Sequence, residues 1–322
     1  MAKNPKIVAI ENPHAGKNTP RQGLGLMVAG VLTSRKRTFS TRTIAELDQA
    51  IDKIRNERPD IVMVSGGDGT LKTTLSALRQ SYDREPEPNQ PRVIIVPMGT
   101  MNVVASTLGI SAANPEAFAK RIAAKVTAGI ALDTSHLSML RFSDTYGFLY
   151  GSGMPVNLLE EYYKSEQRGS PRVLQVVWQA FLQELKAKLL FRKSPHALTR
   201  PVHARIQLPR GHEPPVSPYM AHTAIMVGTV EQVGMGCPAL HDARTYPGKF
   251  MLRSTQLGFF GLARHVGHFW AGIPSSDVFD ACVDHLVVEY ESPTTVTIDG
   301  EMLPGRTRDI ITCGPMVEFI TG

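Results

Sequence analysis

The chain has 322 residues, which is longer than a single ordinary core requires and suits two domains of about 100–200 residues each. Its hydrophobic fraction of 42% and charged fraction of 20% are those of a globular protein. We find no apolar run of the roughly 18–20 residues that a membrane span needs, nor an apolar signal region near the N-terminus. We therefore expect a cytoplasmic protein, and the formal net charge of +6 favours an anionic partner.

The first 130 or so residues alternate apolar runs with amphipathic stretches, which predicts βαβ units and a largely parallel sheet. Strands are predicted at Lys6–Ile10, Asp60–Ser65 and Arg92–Pro97. A helix is predicted behind the first strand, where apolar residues recur at helical spacing: Leu24, Met27, Val28, Val31 and Leu32. A second helix begins at a capping box, Thr43 to Glu46, and continues with one apolar face: Ile44, Leu47, Ile51 and Ile54.

After Asp133 the sequence changes to short alternating segments separated by Gly and Pro, which predicts an antiparallel second domain. Its predicted strands are His203–Leu208, Ala221–Val227, Lys249–Arg253, Val283–Tyr290 and Thr295–Ile298. One long helix is predicted among them from residues spaced three or four apart: Leu174, Trp178, Phe181, Leu185 and Leu189. The predicted domains are residues 1–132 and 133–322, and the extreme C-terminal segment belongs to the second or returns to the first.

The strongest chemical signal is the run Ser65-Gly66-Gly67-Asp68-Gly69-Thr70, between a buried strand and a helical stretch. Glycines let backbone N–H groups approach an anion closely, and a helix N-terminus adds partial positive charge. The run therefore predicts a phosphate site, although it is neither a Walker A loop nor a GxGxxG dinucleotide motif. A tight strand-to-helix turn is the alternative interpretation.

Two further loops follow predicted parallel strands. One is Asn12-Pro13-His14-Ala15-Gly16-Lys17, and the other is Pro97-Met98-Gly99-Thr100-Met101-Asn102. Each alone is common turn chemistry. Because ligands of open α/β sheets bind at the carboxyl ends of the strands, we expect all three loops to converge on one crevice.

In this order, the three loops resemble the catalytic domain shared by diacylglycerol kinases, sphingosine kinases and related bacterial lipid kinases. The run Ile298-Asp299-Gly300-Glu301 resembles the DGE element of the same family. The resemblance implies an N-terminal NAD kinase-like α/β domain, a C-terminal β-sandwich and a nucleotide cleft between them. It also implies an ATP-dependent kinase that phosphorylates a lipid hydroxyl group, with Mg²⁺ as cofactor.

The resemblance also implies roles for individual residues. Asp68 would act on the phosphate-bound Mg²⁺, and Asp299 and Glu301 would orient or deprotonate the lipid hydroxyl, with Glu301 the first choice as proton acceptor. Thr43 falls where the family has a nucleotide-contacting threonine, but its capping box explains it equally well. The remaining implied nucleotide contacts are Asn12, Pro13, His14, Ala15, Gly16, Lys17, Gly66, Gly67, Gly69, Thr70, Leu71, Lys72, Gly99, Thr100 and Asn102.

Several alternatives remain open. Asp299-Gly300 also suits a type I′ hairpin turn. Thr73, Val103 and Pro247 stand where the family usually has Glu, Asp and Asp, and these departures favour a non-catalytic nucleotide- or lipid-binding protein of the same fold. An NAD kinase-like enzyme, which shares the GGDG loop, is the other alternative.

The positive charge is concentrated in one stretch. Ten Lys and Arg residues lie between Lys164 and Arg210, against two acidic residues, and this stretch includes the predicted helix around Trp178. We expect peripheral contact with an anionic membrane surface, unless the helix packs on the second domain and its charges are merely solvated. Aromatic residues are few, at 7%, so nucleic-acid binding is not expected.

Overall fold

A computed structural model of the chain contains two compact units. Unit 1 comprises Met1–Leu137 and Met316–Gly322, and unit 2 comprises Ser138–Pro315. No helix among the described residues is both long and apolar enough to cross a membrane. The structure describes residues 5–14, 37–82, 90–99, 101–111, 113–143, 145–164, 170–189, 197–209, 211, 218–234, 236–271 and 273–322.

Unit 1 is built on a parallel sheet in the order β2-β1-β3-β4, and Phe319 near the C-terminus pairs in parallel with Val93 of β4. Every residue of β1 and β3 is buried, which explains why these strands are continuous apolar runs in the sequence. The described elements of unit 1 are β1 (Ile7–Glu11), β2 (Thr38–Ser40), α1 (Ile44–Glu57), β3 (Ile61–Gly66), α2 (Asp68–Tyr82), β4 (Arg92–Pro97), α3 (Val103–Thr107) and α4 (Pro115–Thr127).

Helix α1 begins at the predicted capping box. The Thr43 hydroxyl accepts a hydrogen bond from the Glu46 N–H at 3.2 Å, and Glu46 accepts one from the Thr43 N–H at 3.3 Å. The buried face differs from the predicted one, because Ile44 is 71% exposed at the first helical position. The face that packs on the sheet consists of Leu47, Ala50, Ile51 and Ile54. The helix predicted around Leu24 lies outside the described residues.

Unit 2 is rich in antiparallel strands, ordered β12-β11-β10-β7-β13-β14, and β8 pairs with β13 on one side and with β9 on the other. The expected combination of an α/β first domain and a strand-rich second domain is confirmed. The described strands that follow unit 1 are β5 (Thr134–Arg141), β6 (Tyr146–Gly147), β7 (Leu149–Gly153), β8 (Val202–Gln207), β9 (Met220–His222), β10 (Ala224–Gly228), β11 (Phe250–Thr255), β12 (Phe279–Val283), β13 (His285–Ile298) and β14 (Glu301–Ile320), and the last of these returns to unit 1.

Three strand predictions in unit 2 were wrong in their bounds. The run Ala221–Val227 is two strands, since it is interrupted at Thr223, whose N–H donates to the Thr255 carbonyl at 2.8 Å. The separate strands predicted at Val283–Tyr290 and Thr295–Ile298 are mostly one continuous strand, β13. A polar residue thus separates two strands at Thr223, whereas the polar residues between Tyr290 and Thr295 lie within β13.

The number of helices in unit 2 was also wrong. The sequence predicted one, and the described part of the unit contains α5 (Met154–Tyr163), α6 (Ser170–Leu189) and α7 (Phe259–Ala271). In α6, Val176 and Ala180 are buried, whereas Trp178 is 60% exposed. The other members of the predicted stripe, Leu174, Phe181, Leu185 and Leu189, have side chains outside the described residues.

Candidate functional site

The first loop is joined to the glycine-rich loop through Asn12. Its backbone N–H donates to the Ser65 carbonyl at 3.0 Å, and its Nδ2 donates to Thr70 Oγ1 at 3.1 Å. The amide oxygen of Asn12 accepts from the His14 N–H at 2.9 Å, which makes the turn through Pro13. Asn12 therefore fixes the end of β1 against the start of α2.

The glycine-rich loop and the third loop are in close backbone contact. A Cβ at Gly99 would lie 2.6 Å from the Gly67 Cα, and a Cβ at Gly66 would lie 2.5 Å from the Thr70 Cβ. The Met98 N–H donates to the Gly66 carbonyl at 2.8 Å. The packing of one loop on the other requires glycine at these positions, since a side chain would push the two loops apart.

Asp68 holds the third loop in place. Its Oδ1 accepts from the Val104 N–H at 3.4 Å, at the start of the short helix α3. Burial raises the pKa of Asp68, while hydrogen bonds from the N–H groups of Val103, Val104 and Asn102 act in the opposite direction. The half-buried carboxylate thus lies between the second and third loops, where it stabilises their mutual position.

Asn102 closes the third loop on itself. It adopts a left-handed conformation, with φ of 48°, and it is buried. Its Oδ1 accepts from the Gly99 N–H at 2.9 Å, and its Nδ2 donates to the Gly99 carbonyl at 2.8 Å. The oxygen and the nitrogen of the Asn102 side-chain amide therefore both form hydrogen bonds within the loop. Within the described residues, the structure thus brings together parts of all three predicted loops at the carboxyl ends of β1, β3 and β4.

The other predicted nucleotide contacts differ in their accessibility. Gly69 is exposed, and a Cβ built on it meets nothing within 4 Å. Leu71 and Lys72 are buried, so Leu71 belongs to the core of unit 1. The Thr43 side chain is engaged in the cap of α1. Four predicted contacts, Ala15, Gly16, Lys17 and Thr100, lie outside the described residues.

Metal ligands are sparse in the described part of the chain. It contains no group of three His, Cys, Asp or Glu side chains that is arranged to hold an ion. Thr73 donates its hydroxyl to the Gly69 carbonyl at 2.8 Å, and Pro247 lies in an exposed turn. The donor set fits a Mg²⁺ ion that is held by Asp68 together with phosphate oxygens and water, as is usual for this ion.

In unit 2, Asp299 and Gly300 form the two-residue turn between β13 and β14. Both residues have positive φ, 49° and 86°, and Ile298 pairs with Glu301 across the turn. This is the type I′ hairpin that the sequence left open as an alternative. The side chain of Glu301, next to the turn, is exposed.

The Asp299 carboxylate is held by backbone groups of a neighbouring segment of unit 2. Oδ1 accepts from the Leu149 N–H at 2.8 Å and from the Phe148 N–H at 3.1 Å, and Oδ2 lies 3.0 Å from the same Phe148 nitrogen. A Cβ at Gly147 would lie 2.8 Å from Oδ2. The carboxylate therefore ties the hairpin to the β6–β7 segment, which leaves Glu301 as the more accessible acid of the pair.

A buried polar cluster of unit 2 was missed by the sequence analysis. Tyr150 lies within hydrogen-bonding distance of Tyr290 and donates to Asp309 at 2.9 Å, and Arg306 Nε contacts the same carboxylate at 2.7 Å. Burial raises the pKa of both tyrosines well above the usual range. Tyr150 and Tyr290 are 140 residues apart, so no local pattern indicates the cluster.

Unit 2 also contains a cavity of about 600 Å³. On one wall, His222 Nδ1 lies 2.7 Å from Ser254 Oγ, and burial lowers the pKa of His222. The wall is otherwise a mixture of apolar and polar side chains, and such a cavity suits a ligand with an apolar body and a polar end. The apolar lining residues are Ile206, Leu208, Met220, Leu257, Val278 and Phe279.

Comparison with known proteins agrees with the resemblance noted in the sequence. Residues 6–133 match the family described as diacylglycerol kinase catalytic domain. Diacylglycerol kinases of Staphylococcus aureus strains JH9 and Newman are each 30% identical over 115 residues, which is 34% of this chain and 33% of each relative. The chain thus spans a third of the length of the curated relatives it matches. The resemblance to the diacylglycerol kinase family is confirmed.

Solved structures extend the similarity of fold to the whole chain. A diacylglycerol kinase from Bacillus anthracis str. Sterne has a TM-score of 0.63 and 17% identity, and covers 100% of this chain and 98% of its own. A putative diacylglycerol kinase from the same source has a TM-score of 0.69 and 18% identity, with 100% and 99% covered. At these identities the similarity establishes the fold.

Proposed function

Because residues 6–133 match the diacylglycerol kinase catalytic domain, we propose that the chain is an ATP-dependent lipid kinase. Its acceptor is a hydroxyl group of diacylglycerol or a related lipid. The observation that carries the proposal is the interlocking of three loops at the carboxyl edge of one parallel sheet. Such an edge is where open α/β sheets bind nucleotides.

The phosphates of ATP bind along the glycine-rich loop. Gly66 and Gly67 present backbone without a side chain, and the N-terminus of α2 contributes partial positive charge. Gly69 leaves open space beside the first turn of this helix. Asp68 would hold a Mg²⁺ ion, which would supply positive charge to stabilise the phosphoryl group during transfer.

The lipid hydroxyl oxygen attacks the γ-phosphorus, a bond to that oxygen forms, and the bond to the ADP oxygen breaks. The proton of the hydroxyl passes to Glu301, which is exposed, whereas the Asp299 carboxylate is already engaged by two backbone N–H groups. Asp299 then acts as a positioning residue, because it fixes the hairpin that carries Glu301. The apolar cavity of unit 2 receives part of the acyl portion of the acceptor.

We test the proposal with γ-labelled ATP, Mg²⁺ and three classes of acceptor: diacylglycerol, sphingoid bases and NAD. Label in a lipid product supports a lipid kinase, and label in the NAD fraction alone contradicts it. Nucleotides without acceptor are tested separately by thermal denaturation. ATP-dependent stabilisation together with a lipid product is the expected result.

The alternative is a non-catalytic member of the same fold. Two observations favour it: the Thr73 hydroxyl is committed to the Gly69 carbonyl, and the described residues contain no multi-ligand metal cluster. Stabilisation by ATP without label in any acceptor would support this alternative. The non-catalytic alternative therefore predicts the same nucleotide binding as the lipid kinase but no label in any acceptor.

A further inference from the structure

Helix α7 of unit 2 exposes the apolar residues that a surface helix normally buries. His265 is the one side chain of this helix that is fully buried. By contrast, Val266 and Trp270 on the helix, and Ile273 just after it, are 54%, 52% and 49% exposed. Val266 and Trp270 are four residues apart and lie on one face of the helix, and Ile273 follows the end of the helix. The apolar side chains of a surface helix usually face the core, whereas these face solvent.

Polar contacts, rather than the apolar stripe, hold α7 on unit 2. His265 Nδ1 lies 2.8 Å from the Gly261 carbonyl, and His265 Nε2 lies 3.0 Å from the Asp277 carboxylate. The ring of Phe269 lies under the buried guanidinium of Arg253, 5.4 Å from ring centre to Cζ. The outer face is therefore held in a fixed orientation toward solvent. Exposed apolar surface of this kind marks a contact with a membrane or another protein.

The charge around α7 favours a membrane. Residues 256–276 contain no Asp or Glu, and Arg264 and His268 are exposed on the helix. Trp is enriched where a protein meets the lipid headgroups, because its ring is apolar and its N–H is polar. The nearest acid, Asp277, lies 3.0 Å from His265, and an apolar face beside the exposed Arg264 complements a bilayer that contains anionic lipid.

The cavity of unit 2 lies next to this helix. Leu257, which lines the cavity, is within 3.0 Å of a Cβ built on Gly261 of α7. Asp277, the partner of His265, also lines the cavity, and so does Phe279, which is itself exposed. Helix α7 and the cavity are therefore neighbours in unit 2.

We propose that the outer face of α7, formed by Val266, Trp270 and Ile273, docks on an anionic lipid bilayer and positions the cavity of unit 2 at its surface. The inference rests on the proposed lipid kinase function for its biological purpose. Docking itself is measurable without any turnover. It differs from the expectation based on the basic stretch around Trp178, which places the membrane contact on α6.

The chain contains two tryptophans, Trp178 on α6 and Trp270 on α7, so each helix carries its own fluorescent probe. We would compare the full-length variants Trp178→Phe and Trp270→Phe with vesicles of phosphatidylcholine and phosphatidylglycerol. In Trp178→Phe, the emission of Trp270 should shift to shorter wavelength, and brominated acyl chains should quench it. Emission that responds to lipid only in Trp270→Phe would overturn the proposal in favour of α6.

A second comparison uses matched isoleucines. Ile273→Ser should weaken vesicle flotation about tenfold, because an apolar side chain no longer enters the bilayer. Ile130→Ser changes an exposed isoleucine of unit 1 and should leave flotation unchanged. Equal flotation of the two variants contradicts docking through α7. Both should melt at the same temperature as the unmodified chain, since both residues are exposed.

Kinase assays separate this proposal from the proposed function. Ile273→Ser should keep its turnover of a monodisperse short-chain acceptor and lose turnover of the same headgroup in vesicles. If the unmodified chain phosphorylates no lipid, the kinase function fails, and flotation still decides the role of α7. If Trp270 emission instead shifts with protein concentration in the absence of lipid, the face is an interface between copies and docking on lipid is overturned.

Discussion

Two Asp-Gly pairs of this chain have opposite consequences for their carboxylates. Asp68-Gly69 opens helix α2 in unit 1, and burial raises the pKa of Asp68 despite the N–H groups of the third loop. Asp299-Gly300 forms the hairpin turn of unit 2, where backbone N–H groups of Phe148 and Leu149 bind its carboxylate at 2.8–3.1 Å. The same dipeptide thus carries a carboxyl group whose pKa is raised by burial in one unit and a carboxylate that accepts backbone hydrogen bonds in the other.

The same sequence motif can therefore have different chemical roles in two parts of one chain. A carboxylate whose oxygens are occupied by backbone donors is a poor proton acceptor, because protonation breaks those hydrogen bonds. The Asp68 carboxylate also accepts hydrogen bonds from backbone N–H groups, but it lies at the glycine-rich loop, where the phosphates are proposed to bind. We therefore assign metal binding to Asp68, a positioning role to Asp299 and proton transfer to Glu301 as parts of the proposed mechanism.

The largest effect is expected for Glu301→Gln. Loss of a general base lowers kcat by about 10²–10⁴-fold, while the melting temperature stays unchanged because the side chain is exposed. Steady-state rates with labelled ATP and diacylglycerol check the prediction. Glu291→Gln, an exposed glutamate on the same hairpin, is the control. Equal rates for the two variants would assign proton transfer to another group.

Asp68→Asn should lower kcat roughly a hundredfold or more, since a neutral amide would hold Mg²⁺ less tightly than a carboxylate does. It should also raise the melting temperature of the nucleotide-free protein at neutral pH. The folded state raises the pKa of Asp68, so stability from this group is present below the unfolded pKa, near 3.8, and is lost as pH rises through the folded pKa.

Thermal melts of Asp68→Asn and the unmodified chain between about pH 3.5 and pH 8 test the predicted difference in melting temperature. The difference in melting temperature should be largest at neutral pH and should shrink as the solution is acidified. A variant that is less stable at neutral pH would show that the hydrogen bonds from the third loop outweigh the cost of burial.

Gly99→Ala should destabilise unit 1 by about 1–3 kcal/mol, because the new Cβ would lie 2.6 Å from the Gly67 Cα and 2.9 Å from Asn102 Oδ1. Gly69→Ala is the matched control, since a Cβ there meets nothing within 4 Å and alanine favours the helix. Urea denaturation of both variants measures the difference. Similar losses at the two positions would contradict the tight contact between the loops.

Asp299→Asn should destabilise unit 2 by about 1–3 kcal/mol, because an amide N–H₂ replaces one acceptor oxygen near the Phe148 and Leu149 N–H groups. Asparagine tolerates the positive φ of the turn, so the change isolates the carboxylate. Urea denaturation gives the loss, and the KM for ATP should stay constant. An unchanged stability with a large loss of kcat would assign Asp299 to the chemistry instead.

The smallest effect is expected at Thr43. Thr43→Ala removes the cap of α1 and should cost about 0.5–2 kcal/mol, whereas Thr43→Ser keeps the hydroxyl. If the residue only caps the helix, the KM for ATP is the same in both variants. A KM that rises in Thr43→Ala and recovers in Thr43→Ser identifies it as a nucleotide contact as well.

Sequence alone determined the parallel sheet of unit 1 and the identity of its loops. Short continuous apolar runs rich in β-branched residues, such as Ile61–Gly66, favour buried strands, and the glycines of the loops are local signals of close backbone approach. The capping box at Thr43 is equally local. These features were predictable because each depends on residues that are neighbours in the chain.

The tertiary structure decided the rest. The buried cluster of Tyr150, Tyr290 and Asp309 joins residues that are far apart in sequence, and the engagement of Asp299 depends on a segment 150 residues away. The outward direction of the apolar face of α7 is likewise invisible in composition, since periodicity shows that a stripe exists and not which way it faces. Long-range contacts select among local alternatives, and these contacts exist only in the folded chain.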